Sequence, residues 1–184
     1  MQAAAQAAGR EALERLIVDV HDFPEPGVVF KDITPLLADH DGLRLVVDAL
    51  AAAGRDADGR PCVDKVAGME ARGFILAAPV ALALGAGFVP VRKAGKLPRE
   101  THGVSYDLEY GSATLEVHRD AFAPGERVLL VDDVLATGGT ARATASLVEE
   151  CGAEVVALSV LMDLSFLPWR EAVGDLEVAS LLTI

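Results

Sequence analysis

The sequence predicts an α/β fold, with a mostly parallel twisted sheet, helices on both faces, and an antiparallel flap. Two patterns support this prediction. Short runs rich in Val, Ile and Leu alternate with longer helix-forming segments, as in parallel sheets. One pair of strand-like segments around Tyr110-Gly111 interrupts the alternation and is typical of an antiparallel ribbon. At 184 residues, we expect a single domain spanning 1–184.

In the first half of the chain, residues 1–10 are expected to be disordered or weakly helical, and Glu11–Val20 has the spacing of an amphipathic helix. Phe23–Leu37 is interrupted by Pro and Gly, so it cannot form one regular element. The elements expected next are a helix over Leu43–Ala53 ending at Gly54, a strand over Val63–Ala67, a helix over Phe74–Leu84 closed by Gly85, and a strand over Gly87–Val91.

In the second half, the ribbon is expected over Tyr106–Glu109 and Ala113–Arg119. A buried strand then begins at Val128. It is followed by a helix from about Thr140 to Glu150 ending at Gly152, a strand over Glu154–Met162, and a final strand over Leu176–Thr183.

Composition excludes several classes of function. Sixteen basic and 28 acidic residues give a net charge of −12, which argues against nonspecific nucleic-acid binding. The longest apolar stretch is interrupted by Pro79, Gly85 and Pro90, so we expect no membrane span. The first residues lack the apolar core of a signal peptide, and Cys62 and Cys151 lack metal-ligand spacing. A reduced, cytoplasmic setting is therefore expected.

The stretch Val128–Thr140, VLLVDDVLATGGT, places Asp132 and Asp133 at the carboxyl end of a buried strand, where open α/β sheets bind ligands. The loop after them offers backbone N–H groups and two Thr hydroxyls to a phosphate. Acids beside an anion site suit a sugar phosphate. The alternative is a buried strand capped by a solvated acidic turn. Neither a G-x-G-x-x-G fingerprint nor a P-loop is present.

Two further segments follow predicted strands. GMEARGF contains Arg72, whose guanidinium suits a diphosphate, although it could instead pair with an acid. VRKAGKLPRE concentrates Arg92, Lys93, Lys96 and Arg99, and its alternative is a solvated basic loop. Because the carboxyl ends of parallel strands share one edge, these segments are expected to form an active site with the acid pair.

The acid-pair stretch resembles the phosphoribosyl-diphosphate (PRPP) motif of the type I phosphoribosyltransferases. FPEPGVVFKDITPLL, GMEARGF, VRKAGKLPRET, YDLEYG and VLLVDDVLATGGTARA together occur in the order and spacing of the adenine phosphoribosyltransferase family, from about residue 19 to about residue 165. The resemblance implies that family's fold, with an N-terminal hood over 11–37 and a flap ribbon over 97–119. It also implies formation of AMP and pyrophosphate from adenine and PRPP, Mg²⁺ held mainly by PRPP, and a homodimer.

The resemblance also assigns site residues. Asp132 and Asp133 would face the ribose hydroxyls. The 5-phosphate would be wrapped by Ala136, Thr137, Gly138, Gly139 and Thr140. The backbone of Val29–Lys31 would read adenine; relatives commonly carry Arg where this chain has Lys31, a substitution that matters only if the side chain takes part. The diphosphate would be held by Arg72, Lys93 and Lys96, with Arg92 lent across the dimer.

The flap residues implied by the resemblance are Glu109 and Tyr110. Glu109 either assists proton removal from the purine or is a solvated ribbon carboxylate. The chain's histidines form no triad with Ser or Cys, although His102 in the flap could touch substrate. A charge-separated displacement at the ribose C1 is expected, with the basic loop stabilising the leaving pyrophosphate.

Two other functions stay open at this stage. One is a type I transferase for hypoxanthine, guanine or xanthine, against which the Phe23–Leu37 segment argues. The other is a PRPP-sensing regulator that has lost catalysis, against which the negative charge and the lack of a spare nucleic-acid-binding region argue.

Overall fold

The structure is a computed structural model that describes residues 2–107 and 112–184. Its main sheet contains seven strands in the order β5-β6-β4-β3-β7-β8-β9. The parallel part comprises β3 (Lys65–Met69), β4 (Gly87–Lys93), β7 (Arg127–Leu135), β8 (Glu154–Asp163) and β9 (Val178–Thr183). The antiparallel part comprises β5 (Thr101–Asp107) and β6 (Ser112–His118).

Helices cover both faces of the sheet, as the alternating pattern predicts. Four of them are α3 (His40–Ala51), α4 (Arg72–Leu84), α5 (Gly139–Glu150) and the short α6 (Trp169–Val173). In β7, Leu129 and Val131 pack into the core with α3 and α4, while Val128 and Leu130 pack into the core with α5 and α6. Because successive strand residues point to opposite faces, a continuous apolar run fills both cores.

The N-terminal helix α1 (Gln2–Leu16) includes residues 2–10, which were expected to be disordered or weakly helical. It packs against α3 with Gly9 and Leu13 buried, and a Cβ atom on Gly9 would lie 2.5 Å from the Cβ of Ala49. The helix ends four residues before the predicted Val20, because Val18–His21 forms strand β1 instead.

Strand β1 pairs antiparallel with β2 (Val29–Asp32) in a small separate sheet, here called the hood sheet (Val18–Asp32). The connecting Asp22–Val28 segment holds the prolines and glycine that made a single regular element impossible. Phe23 and Phe30 meet edge to face, with ring centroids 5.2 Å apart. Helix α2 (Thr34–Ala38) then leads into α3.

The ribbon of β5 and β6 is joined to the main sheet, whereas the sequence predicts an inserted flap. Strand β6 pairs with the end of β4 at Arg92↔Glu116 and Lys93↔Leu115. Strand β5 also begins at Thr101, earlier than the predicted Tyr106. Predicted flap residues Glu109 and Tyr110 lie outside the described residues. No helix in the described part of the chain has the length and apolar character needed to cross a membrane.

Candidate active site

A cavity of about 540 Å³ lies between the hood sheet and the carboxyl ends of β3 and β7. Seven of the predicted site residues line it: Val29, Lys31, Arg72, Asp132, Asp133, Ala136 and Thr140. The structure therefore brings these seven residues together at the edge of the sheet where parallel strands end. A second cavity of about 550 Å³ lies between α5 and α6 and contains none of the predicted residues.

The loop after β7 forms a small cleft of about 90 Å³ beside the main cavity, lined in part by Asp132, Ala136, Thr137, Gly138 and Thr140. Gly138 has a φ of +86° and precedes the first residue of α5, Gly139. No side chain caps this helix N-terminus, so the N–H groups of its first turn face the cleft uncapped, as anion binding requires.

Helix α6 packs behind this loop. A Cβ atom on Gly138 would lie 2.9 Å from the Cβ of Ala172 and 3.0 Å from the carbonyl oxygen of Trp169. Two features therefore require glycine at position 138: the positive φ and the close approach of α6. The sequence analysis did not predict α6.

The acid pair is held tightly at the end of β7. Asp133 is buried and Asp132 is half-buried, and the backbone N–H of Asp133 donates to Asp132 Oδ1 over 2.9 Å. Burial, and then the charge of Asp133, raises the pKa of Asp132 well above its usual value. The first turn of α4 approaches closely, since a Cβ on Gly73 would lie 2.9 Å from Asp132 Oδ1.

Arg72, the first residue of α4, joins the acid pair to the hood sheet. Its Nε lies 2.8 Å from Asp133 Oδ2, but the contact lacks hydrogen-bond geometry, and this oxygen accepts no hydrogen bond within residues 2–107 and 112–184. Its guanidinium carbon lies 5.3 Å from the centroid of the Phe30 ring. Arg72 therefore pairs with an acid, Asp133, as the alternative in the sequence analysis allows, and this pair lies at the cavity.

Arg92, Lys93 and Lys96 lie next to the cavity, where Glu70 connects them to it. Glu70 Oε2 accepts from Arg92 Nε over 3.3 Å and from the backbone N–H of Lys93 over 3.1 Å, while Lys96 pairs with Oε1. Arg99 pairs instead with Asp120 over 2.6 Å. Sequence reasoning missed Glu70, although it stands two residues before Arg72 in GMEARGF.

The hood side of the cavity is formed by Val28, Val29, Phe30 and Lys31, and Met162 and Leu164 at the end of β8 also line the cavity. Sequence reasoning missed the β8 pair, whose apolar side chains suit a planar ring. Lys31 Nζ donates to both oxygens of Asp19 over 2.7 and 2.9 Å, a pair that follows directly from the β1–β2 register. The Lys31 side chain is therefore held along the hood sheet.

The ribbon contacts the start of α5, just after the loop that follows β7, through a residue that sequence reasoning also missed. The hydroxyl of Tyr106 lies 3.2 Å from the Thr140 hydroxyl, within hydrogen-bond distance. Within residues 2–107 and 112–184, no histidine lines the cavity, and no group of three or more His, Cys, Asp or Glu side chains is arranged to hold a metal.

Comparison with known proteins agrees with this geometry. The phosphoribosyl transferase domain family matches residues 36–165. The adenine phosphoribosyltransferase of a Nocardioides species is 69% identical over 97% of this chain and 97% of its own length, and that of Thermobifida fusca is 58% identical over 94% and 96%.

Solved structures show the same relationship. The Rhodothermus marinus adenine phosphoribosyltransferase superposes with a TM-score of 0.87 at 49% identity, covering 97% of this chain and 99% of its own. The Saccharomyces cerevisiae enzyme, complexed with an imino-altritol bisphosphate and adenine, gives 0.90 at 37% identity, covering 96% and 99%. The chain therefore belongs to the phosphoribosyl transferase domain family and, within it, to the adenine phosphoribosyltransferases.

Proposed function

We propose that the cavity between the hood sheet and the strand ends is where this chain transfers the 5-phosphoribosyl group of PRPP to adenine. Membership of the family makes the chain a pentosyltransferase that forms AMP and pyrophosphate in purine salvage. One observation carries the placement of the site: the acid pair, the uncapped N-terminus of α5 and Arg72 line one continuous region.

The sugar phosphate is assigned to the acid pair and the following loop. Asp132 and Asp133 accept hydrogen bonds from the ribose hydroxyls, and residues 136–140 bind the 5-phosphate through backbone N–H groups and the Thr137 and Thr140 hydroxyls. The buried negative charge also offsets the positive charge that develops on the ribose as the C1–oxygen bond breaks.

The diphosphate is assigned to Arg72, Lys93 and Lys96, with Arg92 contributed across a dimer. The oxygens available at the cavity fit Mg²⁺, because this ion is commonly held by one or two carboxylates together with substrate phosphates. Asp132 and Asp133 supply such carboxylates, and PRPP would supply most of the ligands. When bound, Mg²⁺ neutralises charge on the diphosphate.

Adenine is assigned to the hood side. The backbone of Val29–Lys31 offers the donor and acceptor that complement the purine edge, and Phe30, Met162 and Leu164 provide apolar surface at the same cavity. The Saccharomyces cerevisiae relative is complexed with adenine, which supports adenine as the base that this chain uses. Glu109 and Tyr110, outside the described residues, are proposed to close over the substrate, with Glu109 assisting proton removal.

A homodimer and a cytoplasmic setting complete the proposal. Ile75 and Leu82, two turns apart on α4, and Phe88 at the start of β4 expose 47%, 83% and 38% of their surfaces. Exposed apolar side chains at this spacing are typical of a protein interface. Arg92 lies four residues after Phe88 on β4 and therefore projects from the same face of that strand.

A steady-state assay of AMP formation across adenine, hypoxanthine, guanine and xanthine tests the function, with Mg²⁺ present or chelated. We expect turnover with adenine that depends on Mg²⁺. Preference for a 6-oxo purine would overturn the base assignment. Binding of PRPP without turnover under the same conditions would support a regulator instead.

A further inference from the structure

Glu70 is a nearly buried acid to which the proposed mechanism gives no role. It follows β3 directly, it lines the cavity, and its side chain is only 10% exposed. A carboxylate in such a position needs partners, because an unpaired buried charge is costly. Its partners are the cations assigned to the diphosphate.

The contacts of Glu70 close the segment 92–96 into one unit. One carboxylate oxygen accepts from Arg92 Nε and from the Lys93 backbone N–H, and the other pairs with Lys96 Nζ. Arg92 Nη1 in turn donates to the carbonyl oxygen of Lys96 over 3.2 Å. The backbone N–H of Glu70 donates to Val91 over 3.1 Å, which ties this unit to the end of β4.

The charge of Glu70 makes this arrangement stable. Without it, the cationic groups of Arg92 and Lys96 would repel each other at close range. The hydrogen bond from Lys96 is the main reason that the pKa of Glu70 is lowered, so the carboxylate stays charged at neutral pH. Its pairing with both cations therefore persists under the conditions in which PRPP binds.

Both cations keep donors for a ligand while paired with Glu70. An ammonium has three donors and a guanidinium has five, and these contacts use only part of them. The side chains of Lys96 and Arg92 remain 47% and 33% exposed. If Glu70 instead acted as a counter-ion that competes with diphosphate, its carboxylate would be expected to occupy the donors of Lys96 and Arg92 that face the cavity.

We infer that Glu70 is a positioning residue, whose carboxylate holds Lys96 beside this chain's cavity and fixes Arg92 near the end of β4. The remaining donors of Lys96 then bind diphosphate in this chain, and those of Arg92 bind it across the dimer. This inference rests on the proposed assignment of these cations to the diphosphate of PRPP. It gives an acidic residue a favourable role in binding an anion, which charge alone would not suggest.

The test compares Glu70→Gln with Glu100→Gln. Glu100 precedes β5, is 83% exposed, and pairs only with Arg119 among ionic partners in the described part of the chain, so its variant removes an acid near the same loop. Calorimetry measures binding of pyrophosphate with Mg²⁺ and, separately, of AMP, which fills the site except for the diphosphate region. We expect E70Q to weaken pyrophosphate binding by about tenfold or more. AMP affinity should stay near wild type even though the loss of the ion pairs lowers the melting temperature of E70Q, and E100Q should change neither affinity.

Glu70→Asp keeps the charge on a shorter side chain and is expected to recover part of the pyrophosphate affinity. If E70Q does not fold, E70D carries the test, with a selective loss of pyrophosphate affinity expected. Equal losses of pyrophosphate and AMP affinity in the variant that folds would indicate a structural role and overturn the inference. Unchanged or tighter pyrophosphate binding would overturn it too, because Glu70 would then be a competing counter-ion.

Lys96→Ala separates this inference from the assignment beneath it. If K96A binds pyrophosphate like wild type, the assignment of the basic loop fails. If K96A loses affinity while E70Q does not, only the positioning role of Glu70 fails. Because Glu70 acts partly through Lys96, E70Q should cost less affinity in the K96A background than alone.

Discussion

At the residue scale, Asp132, which is proposed to stabilise the reaction, destabilises the folded protein at neutral pH. Its pKa is raised because burial and the neighbouring Asp133 disfavour its charge. A carboxyl with a higher pKa in the folded state binds protons more tightly there than in the unfolded chain. Its favourable contribution is complete below the unfolded value near 3.8, and it is lost as the pH rises through the folded pKa.

Asp132→Asn should therefore lower turnover by about 100-fold while raising the melting temperature at pH 7. The gain in melting temperature should shrink as the pH is lowered toward 4, because wild-type Asp132 then becomes protonated. Thermal denaturation across this pH range checks the prediction, with Asp175→Asn as a control at an exposed position. A lower melting temperature at pH 7 would contradict it.

Arg72→Ala should raise the KM for PRPP by about tenfold or more, because it removes charge-assisted contacts to the diphosphate. The KM for adenine should rise less, through loss of the contact with Phe30. Arg72→Lys keeps the charge but not the planar fork, so an intermediate KM for PRPP is expected. Equal increases for both substrates in R72A would contradict a diphosphate role.

At the scale of elements, the loop of residues 136–138, which is proposed to bind the 5-phosphate and is here called the phosphate loop, depends on α6 behind it. Gly138→Ala introduces a Cβ at a φ of +86° and pushes it against Ala172 and Trp169. Gly125→Ala is a matched control, because its φ is +81° and a Cβ there would meet nothing within 4 Å. Both variants carry the cost of the positive φ, about 1 kcal/mol, and only G138A adds the steric cost of roughly 1–3 kcal/mol.

Chemical denaturation of the two glycine variants measures this difference, and the KM for PRPP shows whether the loop has moved. We expect G138A to lose more stability than G125A and to bind PRPP more weakly. Similar losses of stability in both variants would mean that α6 moves aside without an energetic penalty and does not support the loop.

Most of the strands, but not every contact between elements, could be predicted from the sequence. Strands β3, β4, β7, β8 and β9 were predictable because apolar runs and Gly-marked ends are local signals. The second half of helix α1 was predictable from its apolar spacing. The first half was not, because its contact with α3 depends on the small residues Gly9 and Ala49 meeting across the fold. The link between ribbon and sheet is equally nonlocal, since it depends on two residue pairs at the end of β4.

The residues of the candidate site also fall into those that local motifs predict and those that depend on long-range contacts. Asp132, Arg72 and the phosphate loop were predictable because each lies at a strand end with a recognisable motif. Glu70 and Tyr106 were missed because their partners, Lys96 and Thr140, stand 26 and 34 residues away. No spacing in the sequence reports such contacts.

At the scale of the whole molecule, the exposed side chains Ile75, Leu82 and Phe88 predict a dimer. Leu82→Glu should weaken self-association by at least about tenfold, because it places a charge at an apolar contact. Light scattering after size-exclusion chromatography measures the mass. Phe166→Glu is the control, since Phe166 is 71% exposed elsewhere in the chain. A monomeric wild type, or an unaffected L82E dimer, would contradict this interface.

The contact of Arg72 with Phe30 has a thermodynamic consequence for the two substrates. The Arg72 guanidinium lies against Phe30 on the proposed adenine side and against Asp133 on the proposed ribose side. A ligand that draws the guanidinium toward its own phosphates alters its stacking on Phe30. Linkage then requires the effect to be mutual, with the nucleobase changing the affinity for PRPP by the same factor. Coupling between the proposed adenine and PRPP sites therefore passes through a single side chain.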